Sequence, residues 1–400
     1  MTGLRILATL DMVRLRVLVL SRVGRRSPGP QRSAGSLRMC GALLGLVFAI
    51  GLALLSTHTA LATTCHVKDQ TQPVGSCPSA PALSVLNGAS NETLAISNLF
   101  WFILAESGVV FILVMAMLFI SMARYSHRPG HDEEPKQVYG NRRVEISWTV
   151  IPAIILFVAF VATVVVMNDI NNPAKAAGPI NPAIGAKGLT IDAIGHQWWW
   201  EFRIPKFHVV TANEIQIPVD TPVTVDITSV DVIHSFWVPQ LDRQVDATPN
   251  IRTIVYIDAN RTGTFAGACY EYCGQGHAWM QFRMTVDTPS NFLKWARNEA
   301  APPAAPATNL AAAGEGVFFS QSCSVCHTID GTPATGTVAP NLTHVGNRWG
   351  IAGGVLVMSE KNLERWISDP NQWKEGVQMP SFSLSKSDLH ALATYLIGLK

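Results

Sequence analysis

Charge is what this 400-residue chain has least of. Only 14% of its residues are Asp, Glu, Lys or Arg, while 48% are hydrophobic. A soluble globular chain carries about 25% charged residues, so the shortfall points to membrane segments. The net charge of +2 offers no field for a polyanion, and many of the basic residues gather in the first forty positions, ahead of an apolar run. That balance argues against nucleic acid as a partner. Internal repeats are also missing. The length leaves room for two or three domains.

Residues 39–62, MCGALLGLVFAIGLALLSTHTALA, follow an Arg-rich stretch ending at Arg38 and close on Ala60-Leu61-Ala62. A basic region, an apolar region and a small-residue end describe a secretory leader at 1–62; a first transmembrane helix is the alternative. Thr64 is a poor residue before a lipid-bearing cysteine, which disfavours Cys65 as such a site. An exported segment, 63–98, comes next. Residues 99–122 and 146–167 are then long and apolar enough to cross a hydrocarbon core of ~30 Å. Arg124, Arg128, Lys136, Arg142 and Arg143 lie between them. Short loops rich in Arg and Lys stay in the cytoplasm. The hairpin at 99–170 is therefore out–in–out in a cell membrane, and everything after Asn168 is periplasmic or extracellular.

Residues 171–188 form a Pro/Gly/Ala/Asn linker. From 189 to 287 the texture changes to short alternating stretches, LTIDAIG, EIQIP, VTVDITSV, IRTIVYID and WMQFRMTVD. Period-two alternation with turn residues between predicts an all-β Greek-key sandwich or barrel, closed by a short helix at 291–298 and bounded at 189–298. The Pro/Ala run AAPPAAPATN then predicts a semi-extended linker at 299–309 that isolates the folds on either side. The remainder, 310–400, reads as mostly helical.

Seven cysteines sort by position. Cys40 sits in the leader. Cys65 and Cys77 could pair as a disulfide in an oxidising compartment or stay separate thiols. Cys269 and Cys273 belong to Cys269-Tyr-Glu271-Tyr-Cys273-Gly-Gln-Gly-His277-Ala-Trp-Met280. Soft sulfur with imidazole is what copper prefers, and two cysteines four apart offer two bridging thiolates. The second imidazole must come from elsewhere, and His234 in DVIHSFW is the candidate. A disulfide and a zinc site are the alternatives, and zinc leaves Met280 without a role.

This loop resembles the binuclear copper-A loop of cytochrome c oxidase subunit II, C-x-E-x-C-x-x-x-H-x-x-M. DVIHSFWVPQ resembles the segment bearing that family's first histidine. GHQWWWEFR (195–203) resembles its aromatic segment, and VEISWTVIP (144–152) the start of its second membrane helix. The resemblance implies a cupredoxin fold. It implies copper ligands His234, Cys269, Cys273, His277 and Met280, with the backbone carbonyl of Glu271. It implies that the Glu271 carboxylate helps bind magnesium against subunit I, and that Trp198 is where electrons enter. On the bland reading Trp198, Trp199 and Trp200 anchor a core or an interface. The family also has an acid at the mouth of a proton pathway, and Glu145 stands there; its plain role is to complement a helix dipole. Quinol-oxidising relatives lose the copper ligands that are present here. One departure is 241–250, LDRQVDATPN, which lacks the lysine and the Pro-Gly-Arg of the pattern and puts local loop contacts in doubt.

Cys323-Ser-Val-Cys326-His327 is a C-x-x-C-H haem-attachment signal. Two thiols add to the haem vinyls and His327 is held under the iron. Met379 in QMPSF is the candidate sixth ligand, favoured over Met358 in VLVMS and over His344 by Pro380 and its small-residue context. The segment resembles mono-haem class I cytochrome c, which implies that the Pro340 carbonyl orients His327.

Together these features predict a multidomain electron-entry subunit: a two-helix transmembrane hairpin, an all-β cupredoxin domain and an all-α cytochrome c domain. Its cofactors would be binuclear copper A, one covalent haem c and a magnesium ion. Its partners would be subunits I and III and, as donor, cytochrome c or a quinol–cytochrome c reductase. The rival is a copper-handling or thiol-redox protein that matures oxidases.

Overall fold

The computed structural model describes residues 85–126, 137–171, 183–185 and 188–400. The 1–62 leader, the Cys65/Cys77 pair, Arg128, Lys136 and most of the 171–188 linker lie outside the described residues.

Two long helices come first, α1 (Asn91–Arg124) and α2 (Arg142–Ile170). Each begins on a side-chain cap. Ser90 Oγ accepts the Thr93 N–H at 3.1 Å, and Asn141 Oδ1 accepts the Arg143 N–H at 3.1 Å, so orphan donors of the first turn are satisfied. The helices overrun the apolar stretches 99–122 and 146–167 because capped, polar first turns are helical without being apolar. Large side chains such as Phe111 and Leu156 face outward along them. So much exposed apolar surface calls for lipid or another membrane chain to cover it.

The first turn of α1 is built into the β domain. Ala89 N–H and Thr93 Oγ1 both donate to Gln240 O, at 2.7 and 2.9 Å. Asn91 Nδ2 donates to Asp258 Oδ2 at 2.7 Å. Thr93 and Ser97 are buried there.

Ten strands follow: β1 (Leu189–His196), β2 (Trp199–Ile204), β3 (Val209–Ala212), β4 (Glu214–Pro218), β5 (Val223–Ser229), β6 (His234–Trp237), β7 (Val245–Ala247), β8 (Thr253–Ile257), β9 (Gly263–Cys269) and β10 (Gln281–Asp287). They form two five-stranded sheets, β3-β2-β1-β5-β8 and β4-β10-β9-β6-β7. The sheets face each other across aromatic rings. Trp200 and Phe202 of the first meet Phe236 and Phe282 of the second, with centroids 5.4 to 6.4 Å apart. Each buried ring contributes roughly 1.5–3 kcal/mol by leaving water. Alternating burial along β10 matches the alternation in the sequence. Trp279 and Met280, read as the start of this strand, stand in a short 3-10 turn and at its end. Helix α3 (Pro289–Glu299) closes the sandwich, with Thr288 as its cap and Phe292 and Ala296 inward.

The last domain holds α4 (Asn309–Ser320), α5 (Glu360–Ser368), α6 (Pro370–Trp373) and α7 (Lys386–Gly398) around a core that includes Phe318, Leu363, Leu392 and Tyr395. It is less helical than the sequence suggests. Residues 321–359 run mostly in turns, with a two-residue ladder of β11 (Gly350–Ile351) and β12 (Leu356–Val357). Their backbone groups pair across the loop, as in Ala339 N–H to Cys326 O at 3.0 Å and Leu342 N–H to Thr328 O at 2.8 Å.

The 299–309 segment does not isolate the two folds. His344 Nε2 pairs with Ala301 O at 2.8 Å, and Trp349 N–H donates to Glu214 Oε2 of β4 at 3.1 Å. Arg283 of β10 lies 3.7 Å over the Trp349 ring. Pro/Ala composition sets the stiffness of a linker; it does not stop the domains it joins from docking.

Candidate functional site

Strand pairing assembles the first site. Phe236 on β6 stands opposite Cys269 at the end of β9, so His234, two residues earlier, sits over the loop that follows β9. His234 Nδ1 lies 3.8 Å from Cys269 Sγ. The two sulfurs are 3.7 Å apart and remain free thiols. His277 Nδ1 lies 3.7 Å from Cys273 Sγ, and Met280 Sδ 3.9 Å from it. Glu271 O is 3.2 Å from Cys269 Sγ. Each imidazole thus addresses a different sulfur, the sulfurs face one another, and a thioether and a carbonyl flank them. His234, Cys269 and Cys273 also form a buried cluster with metal-ligand spacing.

Electrostatics make this site want cations. Cys269 is held well below the usual thiol range, first because the Cys273 thiol hydrogen-bonds to its sulfur and then, against burial, because His234 does. Cys273 moves the opposite way for the same reason, since a second negative sulfur beside the first is unfavourable. Only positive charge between them lets both become thiolates. The donor set therefore fits two copper ions.

Asp231, which sequence reading missed, holds the site in place. Its Oδ1 lies 2.8 Å from His234 Nε2, and its Oδ2 accepts the Gln197 N–H at 2.7 Å. Burial works against a charged His234. The Asp231 hydrogen bond and the Cys269 sulfur outweigh it, and its pKa is raised. With Nε2 given to a carboxylate, Nδ1 is aimed at the metal position. An acid three residues before a candidate ligand histidine was the available signal.

The three tryptophans divide their roles. Trp200 is wholly buried in the core. Trp199 stacks on His196 at 4.1 Å. Trp198 covers the copper loop: its Nε1–H donates to Cys273 O at 2.9 Å, and Gln197 Nε2 donates to the same oxygen at 2.8 Å. Gly274 and Gly276 lie under its ring, where an added Cβ would come within 2.8 and 2.5 Å of it.

In the helical domain His327 Nδ1 lies 2.7 Å from Pro340 O. Burial, opposed by that carbonyl, lowers the pKa of His327, so the ring stays neutral with Nε2 as an available ligand atom. Cys323 and Cys326 are free and half-buried. Leu342, Met358, Trp373, Met379 and Phe382 are partly buried against the domain core, and apolar side chains of this kind suit a flat macrocycle. His344 is engaged with Ala301 O, so it is a poor candidate for the iron. Glu145 Oε1 accepts the Asn141 N–H at 3.1 Å and so closes the start of α2. Glu271 is exposed.

Residues 78–164 match the "Cytochrome C oxidase subunit II, transmembrane domain", 207–287 the "Cytochrome C oxidase subunit II, periplasmic domain" and 311–400 "Cytochrome c". "Cytochrome c oxidase subunit 2" of Alkalihalophilus pseudofirmus is 38% identical over 294 residues, 73% of this chain and 83% of that protein. The chain belongs to the cytochrome c oxidase subunit II family. The Bacillus subtilis "Cytochrome c oxidase subunit 2" is 31% identical over 68% of this chain and 79% of its own length. The solved periplasmic domain of subunit II from Bradyrhizobium japonicum is 31% identical, covers 28% of this chain and 92% of its own, and has a TM-score of 0.27. The chain is thus a membrane-anchored subunit, with a periplasmic domain, of a cytochrome c oxidase, an oxidoreductase. It associates with subunit I and serves electron transfer. The family models imply copper A in the β domain and haem in the cytochrome c domain.

The seam between those two domains is buried and polar. Burial pushes the Glu214 carboxyl up from 4.5 to about 7, against the pull of Arg348 and the Trp349 N–H. A carboxyl whose pKa rises on folding stabilises fully below its ordinary value, and that contribution is lost as pH climbs through the folded value. Stability is expected to fall between pH 4.5 and about 7 from this group, by at most on the order of 3 kcal/mol. Glu214→Gln should flatten that dependence in thermal unfolding of the full chain across this pH window. On the same seam, Lys374 is 2% exposed, and burial, opposed by Cys273, brings it down to about 7.

Proposed function

We propose that this subunit accepts electrons through a covalent haem c in domain 310–400 and a binuclear copper-A centre in domain 189–298. It then passes them to subunit I, where oxygen becomes water and protons are pumped. The haem and the copper pair supply reversible one-electron carriers. The chain supplies their ligands, orientation and burial. Cys323 and Cys326 would hold the haem through thioethers, His327 and Met379 would supply its iron ligands, and Pro340 O orients His327. His234, Cys269, Cys273, His277, Met280 and the Glu271 carbonyl hold the coppers. Trp198, hydrogen-bonded to the carbonyl of Cys273, is the entry point to the copper loop. The Glu271 carboxylate, exposed beside that loop, would contribute to magnesium at the subunit I face.

The observation that carries this reading is the pair of free sulfurs 3.7 Å apart, each facing its own imidazole. A copper-handling or thiol-redox protein has no use for Met280 at 3.9 Å from Cys273 or for a haem domain. The donor is cytochrome c or a quinol–cytochrome c reductase, subunit III joins the complex, and the hairpin at 99–170 sits in the bacterial inner membrane. Purified complex should show a mixed-valence dicopper band in the near infrared and a c-type haem. A single labile Cu(I) without that band would overturn the reading.

Glu145 is proposed to collect protons at the cytoplasmic surface. Its bond to the Asn141 N–H is the capping role, worth about 0.3–1 kcal/mol, and glutamine can keep that bond without carrying a proton. Glu145→Gln should slow oxygen reduction at saturating donor while copper and haem c spectra and their reduction stay unchanged. Full turnover would leave only the cap.

A further inference from the structure

Lys374 has no part in the proposed ligand sets, yet among the described residues it is one of the most buried titratable groups. It stands at the end of α6, and its Nζ donates to three carbonyl oxygens: Trp198 O at 2.6 Å, Trp279 O at 3.1 Å and Ala352 O at 3.1 Å. Three carbonyl oxygens match in number the three N–H bonds of an ammonium. Ala352 belongs to the haem domain. Trp198 and Trp279 belong to the copper domain. Trp198 is the ring bonded to Cys273 O, and Trp279 directly precedes Met280.

The backbone around Lys374 is shaped for this approach. Gly353 has φ +74, and a Cβ there would lie 2.5 Å from Trp279 O and 3.1 Å from Lys374 Nζ. Gly376 has φ +80, and its Cβ would lie 2.5 Å from Gln275 Oε1 and 3.1 Å from the Trp198 ring. On either side of the lysine, side chains are missing where the haem domain comes down on the copper loop. The hydrogen bonds of Trp349 to Glu214 and of His344 to Ala301 touch neither Trp198 nor the loop.

We propose that Lys374 is a positioning residue that pins the haem domain to the Trp198 segment and the copper loop, so that electrons cross a fixed seam instead of waiting for a tethered domain to find its place. The inference rests on the electron path proposed above. It adds no redox step; it fixes the distance over which one occurs.

The test uses the intact oxidase with Lys374→Met, which keeps a long side chain and removes all three donors. Haem c is reduced by a photoexcited ruthenium complex, and its band and the near-infrared copper band are followed in time. Amide hydrogen exchange of 352–353 and 374–376 is measured on the same protein. The expected result is unshifted spectra, unchanged photoreduction of haem c, faster exchange at both segments, and transfer to copper slowed roughly tenfold or more, as an ångström-scale misplacement brings. A wild-type transfer rate overturns the pin even if the domain is destabilised, because a purely structural lysine would alter stability and spare the rate. Should Lys374→Met fail to load both cofactors, Lys374→Gln, with two donors on a shorter stem, is read by the same two measures. The wild-type enzyme separates the readings. Absence of transfer from haem c to copper there removes the electron path itself. Transfer that Lys374 variants leave unchanged removes only the pin.

Discussion

Cys273→Ser abolishes the dicopper centre: the near-infrared band disappears and copper per chain falls to one ion or none. The reason is geometric. Cys273 Sγ stands between Cys269 Sγ, His277 Nδ1 and Met280 Sδ, at 3.7, 3.7 and 3.9 Å. A serine hydroxyl is a hard, neutral donor, and soft-metal sites select thiolate. What remains is one thiolate with one nearby imidazole, which can serve a single ion. The haem should stay attached, because Cys323 packs against the core of its own domain and His327 is held there by Pro340 O. Metal analysis and the pyridine haemochrome spectrum read both halves of the result. Wild-type copper content would show that the sulfurs do not bridge.

Met379→Ala has the second large effect. Losing the thioether lowers the haem potential, since a Met–His pair raises it, and it opens a position that takes CO or imidazole. Met358→Ala should do neither. Both methionines are half-buried against the same core. Met358 directly follows β12 and donates its N–H to Trp349 O at 3.1 Å, so it is fixed as part of the short ladder. Its truncation should cost less than the ~2–5 kcal/mol of a fully buried methionine. Redox titration and CO difference spectra separate the two variants. The reverse pattern would hand the axial role to Met358.

What the sequence made legible here follows from how far apart the partners lie. Five of the proposed copper donors fall on one loop between Cys269 and Met280, and a C-x-x-C-H motif is self-contained, so both candidate sites could be proposed from spacing. His234 needed only the expectation of a second imidazole. Asp231 is close by in sequence, yet its importance lies in joining His234 to Gln197 on another strand connection, which no local pattern reveals. Lys374 is further out of reach, since 176 positions separate it from Trp198. In sequence it is one lysine near the end of a helix, with solvent as its expected surroundings. The Pro/Ala run misled in the same way: composition reports on the connector, while docking is decided by Glu214, Arg283 and Trp349, none of which lies in it. The WWW triplet could be split only by β1–β2 pairing, which sends Trp200 into the core and leaves Trp198 over the loop.

The anchored first turn of α1 makes that helix a mast. Its 34 residues measure about 51 Å at 1.5 Å each, while a bilayer core takes only ~30 Å. The surplus stands clear of the hydrocarbon and is tied by Asn91 and Thr93 to the sandwich. The altitude and heading of the copper loop above subunit I are thereby encoded in a count of residues. Removing seven of them from the surplus would lower the loop by roughly 10 Å and almost preserve its heading, because seven residues are close to two full turns. Removing five would lower it less and swing it through about 140°, turning the loop away from its original heading.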